Sequence, residues 1–181
     1  FDGYSTALVF PSAYLNSPSS MFGHTFIRID PENKEENPDL LSYTINYAAD
    51  SATNENQFIL AYKGLFGGYR GITTLLPYHI KVKQYSDMES RDIWEFHLNF
   101  SKAETNQLIR HVWEIESINF DYYYLDENCA YRVIALLEVA RPELNLLHNY
   151  SPHAIPADTV RDIVKSGSVK KIAYRPSLAT Q

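Results

Sequence analysis

Short runs in which apolar and polar residues alternate fill much of this 181-residue chain, broken by stretches where the apolar period lengthens to that of a helix. Alternation and β-branched or aromatic content predict strands at Ala7–Phe10, from Gly23 to Asp30, and at Leu40–Ala48, Gly71–Pro77, Ile80–Tyr85, Ile93–Phe100, Phe120–Leu125 and Val169–Tyr174. Helical spacing predicts helices at Phe58–Phe66, stopped by Gly67-Gly68, and at Ala130–Ala140 and Asp158–Lys165. Another opens on the capping box Ser101-Lys102-Ala103-Glu104 and runs to Ser117, with Leu108, Ile109, Val112 and Trp113 as its buried face. The charged turn from Pro31 to Asp39 lets the strands on either side pair as a hairpin. Strands with interspersed helices, mostly antiparallel in character, give an α+β fold class.

Length and composition narrow this picture. The size suits one domain spanning residues 1–181, and 45% hydrophobic content supports a sizeable core. The abrupt start at Phe1-Asp2-Gly3 reads as a domain processed or excised from a longer protein. A net charge of −6, with no basic stripe, argues against nucleic acid as a partner. Lys81, Lys83, Lys170 and Lys171 read as solvated positions. Fourteen tyrosines suit grooves and membrane-proximal surfaces as well as cores. No apolar run is long enough to span a bilayer. A single cysteine excludes an internal disulfide and a Cys-rich zinc site, and no two histidines have ligand spacing, so no metal is expected. No cofactor is expected either: the glycines near Gly67 lack phosphate-loop spacing.

That cysteine is the main candidate for chemistry. Cys129 falls where an aromatic strand gives way to a helix, beside the N-cap types Asp126 and Asn128 and ahead of the apolar stripe Val133, Leu136, Leu137 and Ala140. Free N–H groups and the helix dipole favour a thiolate there. The position equally suits a small buried hydrophobe. Of six histidines, His24 stands out because Gly23 precedes it and it opens a strand, where a side chain can project into a cleft. Asn46 lies on the partner strand of the expected hairpin, within reach to orient the ring, although an edge amide facing water fits the same pattern. The polar loop ending at Ser20 could line the site. The Lys63–Tyr69 run reads either as a helix cap and turn or as an apolar flap beside a groove.

The order His24, Asn46, Cys129 resembles the circularly permuted papain-like (NlpC-like) folds, which include the lecithin–retinol acyltransferases. More specifically, Asn16–Phe26, Asn46–Ala49, Lys63–Tyr69, Glu89–Glu95 and Asp121–Arg132 resemble a bacterial family, formerly of unknown function. That family is named for the N-terminal periplasmic domain of the lipoprotein N-acyltransferase Lnb. The resemblance implies an antiparallel sheet packed on helices, with the nucleophile at a helix start. It further implies a periplasmic or otherwise extracytoplasmic location and thiol-dependent acyl transfer on lipid or lipoprotein substrates near a membrane surface. Cys129 would form the thioester and His24 would serve as base and then acid. The Cys129 N–H would hold the oxyanion together with Asn128 or a nearby tyrosine such as Tyr124. Ser20, Lys63 and Tyr69 are candidates to contact substrate, and Arg132 either binds a headgroup phosphate or pairs with Asp126. Asp87, Arg91 and Asp92 suit an ion-pair turn.

Two other readings remain open. A cysteine peptidase or amidase acting on cell-wall peptides would use the same pair in a polar, open cleft, whereas an apolar channel near Phe22, Phe66 and Tyr69 favours the acyltransferase. A non-catalytic periplasmic binding or assembly domain would leave Cys129 inert and far from His24.

Overall fold

A computed structural model describes residues 2–13, 23–32, 38–50, 56–150 and 153–180. Among the described residues, seven strands form one sheet: β1 (Ser5–Pro11), β2 (Phe26–Asp30), β3 (Tyr43–Ala49), β4 (Tyr69–Pro77), β5 (Ile93–Leu98), β6 (Phe120–Tyr122) and β7 (Val169–Arg175). The order across the sheet is β6-β4-β3-β2-β1-β5-β7, and every neighbouring pair is antiparallel. The helices are α1 (Pro38–Leu41), α2 (Gln57–Phe66), α3 (Tyr78–Val82), α4 (Lys102–Ile115), α5 (Cys129–Ala140) and α6 (Pro156–Lys165). The α+β class and the antiparallel sheet packed against helices are therefore as expected.

The strand alternation sorts side chains to two faces. Leu8, Ile27, Ile29, Ile45, Phe96 and Leu98 point to one side, where they pack with Leu108 and Val112 of α4, the apolar stripe of α5, and Val160 and Ile163 of α6. On the other side Val9, Phe26 and Ile93 meet Tyr78 and Tyr85. The central strand β2 is buried along its whole length because both its faces are covered. At the start of α4 the capping box forms as read: Glu104 N–H donates to Ser101 Oγ and Ser101 N–H donates to Glu104 Oε2.

The expected strand Ile80–Tyr85 is instead α3 followed by a π-helical turn, Lys83–Met88. Ile80, Val82 and the lysines alternate like a strand, but Tyr78, Lys81 and Tyr85 recur at helical spacing and are the buried positions. The exposed second face of the sheet needs a cover, and these tyrosines supply it. Lys81 is accordingly buried rather than solvated. Its Nζ donates to Gln84 Oε1 at 3.1 Å and lies 5.5 Å from the centre of the Tyr85 ring. Lys83, Lys170 and Lys171 are exposed as expected. Trp113 is also a correction. It is exposed, at the rim of an apolar groove of about 300 Å³ between α4 and the ends of β2, β3 and β4 that lie away from Cys129.

Candidate active site

Cys129 is buried, and it is the first residue of α5. The turn that delivers it is held by Asn128. The side-chain carbonyl of Asn128 accepts from Ala130 N–H at 2.9 Å and Tyr131 N–H at 3.2 Å. Its amide nitrogen donates to Tyr124 C=O at 2.9 Å and Ala154 C=O at 2.6 Å. Both amide hydrogens are thus committed, so the expected oxyanion role for Asn128 does not fit this geometry. Asn128 builds the turn that carries Cys129 instead.

His24 reaches the thiol from the opposite element. Gly23 has φ +89°, and a Cβ there would lie 2.6 Å from the Phe10 ring, so only glycine allows this approach to the strand. His24 N–H donates to Pro11 C=O at 3.5 Å, anchoring the backbone to the end of β1. In the hairpin register Ile27 faces Ile45, so one step further sets Phe26 against Asn46, with His24 diagonal to it. The side chains meet there: His24 Nε2 and Asn46 Oδ1 are 2.7 Å apart. Asn46 Nδ2 donates to Thr74 Oγ1 at 3.3 Å, which fixes the amide so that Oδ1 faces the ring. Nε2 is therefore the donor, and Nδ1 is left for the Cys129 thiol, which hydrogen-bonds the imidazole. Burial alone would push the thiol up. The His24 imidazole, its hydrogen bond and the Thr25 backbone outweigh it and bring Cys129 down to about 7.

A wall of aromatic rings surrounds the pair. His24 packs on Phe26 and Tyr85 with ring centres 6.0 and 6.1 Å apart. The buried Tyr122 hydroxyl hydrogen-bonds both the backbone N–H and the side chain of Cys129. Burial first, then the charge on the neighbouring thiolate, raise the Tyr122 phenol well above its ordinary range, so it stays protonated and able to donate. Tyr122 is thus the tyrosine at the sulfur, in place of the expected Tyr124. The strand alternation offered a signal, since Phe120, Tyr122 and Tyr124 share a face by period-2 counting. Tyr124 lies one layer back. It meets Tyr122 edge-on at 6.1 Å, and its N–H donates to Gly64 C=O at 2.8 Å.

The remaining candidates spread outward. Tyr69 is buried opposite Tyr122 in the β4–β6 register, and Lys63 Nζ lies 5.6 Å from the centre of the Tyr69 ring, so both support the wall rather than the sulfur. The Lys63–Tyr69 run is a helix end and turn: Gly67 takes φ +84° and its N–H caps Lys63 C=O. Ser20 and Phe22 lie outside the described residues. Arg132 pairs with Glu127 at 3.1 Å, not with Asp126, and its guanidinium lies 3.7 Å above the Phe120 ring. Arg91 pairs with Glu89 at 3.0 Å rather than with Asp87 or Asp92. Asp92 instead accepts from Ser177 N–H and the Thr180 hydroxyl.

Arg91 was not legible as a site residue, because the contacts that tie it to the site are with two backbone carbonyls and a ring. Its Nε donates to Ser12 C=O at 2.6 Å and its Nη2 to Pro11 C=O at 3.1 Å, while its guanidinium stacks 4.8 Å from the Tyr85 ring. It therefore braces both the carbonyl that His24 N–H uses and the ring on which His24 packs. Arg91→Met should lower stability by about 2 kcal/mol, because it strands buried acceptors. Urea denaturation measures this, and an unchanged midpoint would show that Arg91 is dispensable.

The family model for the Lnb N-terminal periplasmic domain matches residues 1–166. The chain belongs to this family. The Lnb N-terminal domain is periplasmic, in agreement with the extracytoplasmic location expected from the sequence. Comparison with curated proteins and with solved structures gave no match. Among the described residues there is no cluster of side chains able to hold a metal ion, and no helix long and apolar enough to cross a membrane.

Proposed function

We propose that this domain is a thiol-dependent acyltransferase with a permuted papain-like arrangement, acting on lipid or lipoprotein substrates through a Cys129 thioester. The observation that carries the catalytic part is the chain Cys129–His24–Asn46, with the thiol lowered to about 7 and His24 Nε2 held at 2.7 Å by Asn46. The lipid part rests on the family and on the aromatic lining of the site.

In this reading the Cys129 thiolate attacks an ester carbonyl. A C–S bond forms, the ester C–O bond breaks, and His24 Nδ1 passes the thiol proton to the departing alcohol. An amine then attacks the thioester. His24 takes the amine's proton, the C–S bond breaks, and the thiol is restored as the amide leaves. The Cys129 N–H and the Tyr122 hydroxyl, already close together, suit the oxyanion that develops in each step. Asn46 acts through His24, by fixing which nitrogen carries the proton.

Intact-mass spectrometry after incubation with phospholipid vesicles tests this reading. One acyl increment, released by hydroxylamine and absent from Cys129→Ser, is the expected result. An increment that survives Cys129→Ser, or cleavage of cell-wall peptides with no acylation by any phospholipid, would overturn it in favour of a different acceptor residue or of an amidase.

A further inference from the structure

Helix α2 exposes five large apolar side chains. Phe58 is 85% exposed, Phe66 70%, Tyr62 66%, Ile59 51% and Leu65 48%. At 100° per residue these five fall within about 120° of arc, a single stripe along the whole helix. Tyr62 and Phe66 pack against each other as tilted rings with centres 4.8 Å apart, so the stripe is a preformed ridge. The opposite side of the helix is tied to the active-site wall: Gly64 lies directly against the Tyr124 ring, and Tyr124 N–H donates to Gly64 C=O. The ridge therefore sits on the outer side of the element that backs Tyr124, Tyr122 and Cys129.

We infer that α2 seats this domain on the surface of an anionic phospholipid bilayer. Two observations select that occupant. Charge is the first. The chain has a net charge of −6, yet from Asn56 to Ser86 it has no acidic residue and carries Lys63, Arg70 and Lys83 outside the core, Lys81 being buried. Lys63 falls about 40° past the edge of the stripe, and its ammonium, over the Tyr69 ring, keeps a positive charge at the border of the apolar surface, the level of the headgroup phosphates. The second is the shortage of directional groups. A protein partner of comparable area would be met with roughly one hydrogen bond per 100–200 Å², whereas the stripe offers only the Tyr62 hydroxyl among five large side chains. Acyl chains ask for no such register. The docking stands on the helix itself; its value for substrate supply rests on the acyl-transfer reading above. On that reading, the site receives its ester donor from the bilayer on which α2 sits.

Vesicle co-sedimentation of the 181-residue chain tests the docking. Pelleting with phosphatidylcholine vesicles doped with phosphatidylglycerol is expected to exceed that with phosphatidylcholine alone. The double variant F58S/F66S, with an unchanged far-UV circular dichroism spectrum, should bind at least about tenfold more weakly. In F58W the added emission should shift to the blue and be quenched by brominated acyl chains. Cys129→Ser should sediment as the parent does, so loss of acylation and loss of docking are read separately. Three results would overturn the proposal: no pelleting with either vesicle, equal pelleting of F58S/F66S, or a dimer in light scattering that F58S/F66S dissociates. The last would assign the stripe to a second copy of the chain.

Discussion

Replacing His24 with alanine should slow alkylation of Cys129 about tenfold at about pH 6.5 and move the inflection of the rate from about 7 to 9 or above. In the parent the imidazole and Thr25 overcome the burial that opposes ionisation, and the thiol sits at about 7. Without the imidazole, burial is left as the largest influence on a group whose ordinary value is 9.0. The thiolate fraction then falls about 80-fold at this pH, while the more basic sulfur regains about eightfold in intrinsic nucleophilicity, leaving the tenfold net loss. The sign is testable across pH: the variant lags the parent below about pH 8, the two curves cross there, and above about pH 9.5 the more basic thiolate of the variant is the faster by up to about eightfold. Asn46→Ala keeps the imidazole but frees it to turn, so its curve should lie between the two. Iodoacetamide kinetics on the single cysteine give the readout directly. Superimposable curves for parent and His24→Ala would remove the main support for a catalytic pair.

Gly64→Ala is expected to destabilise the domain by about 3 kcal/mol and to reduce Cys129 reactivity together with stability. The substitution is informative because two effects oppose each other. Gly64 lies inside α2, where alanine is the better helix former by about 1 kcal/mol. Its added Cβ, however, would lie 2.3 Å from Tyr124 Cε2, 2.4 Å from Cζ and 2.6 Å from Cδ2, far inside the 3.5–4.0 Å of ordinary carbon contact. Tyr124 has little room to yield. Its backbone is bonded to Gly64, and its ring meets Tyr122 edge-on, which in turn touches Cys129. Gly167→Ala is the control: it has φ +73° but nothing within 4 Å of a Cβ, so it should cost about 1 kcal/mol through backbone strain and leave the thiol unaffected. Thermal denaturation with thiol kinetics checks both. A Gly64→Ala variant more stable than the parent would mean that the tyrosine layer is loose and does not bear on Cys129.

Local physics determined much of this protein from its sequence. Strand alternation, the Ser101–Glu104 capping box, the glycine stop after Phe66 and the cap at Asn128 each depend on neighbours within a few residues, so they could be read in one dimension. The pairing that brings Asn46 to His24 belongs here too, because strands consecutive in the chain tend to lie side by side and the alternation of their side chains limits the register. Segments whose conformation answers to distant surfaces could not be read this way. Ile80–Tyr85 alternates like a strand, yet it forms helical turns because the face of the sheet carrying Phe26 must be covered. Asn128 offered a plausible donor for an oxyanion, but the carbonyls of Tyr124 and Ala154 take both its amide hydrogens. Tyr122, Tyr85 and Arg91 acquire their places at the site only when β6, the π-helical turn and the end of β1 converge on one end of the sheet. The sequence by itself determined which residues could perform thiol chemistry and the elements that carry most of them. The tertiary structure decided which of them meet, because hydrogen bonds and ring contacts between elements far apart in the chain are set by packing, which no local period encodes.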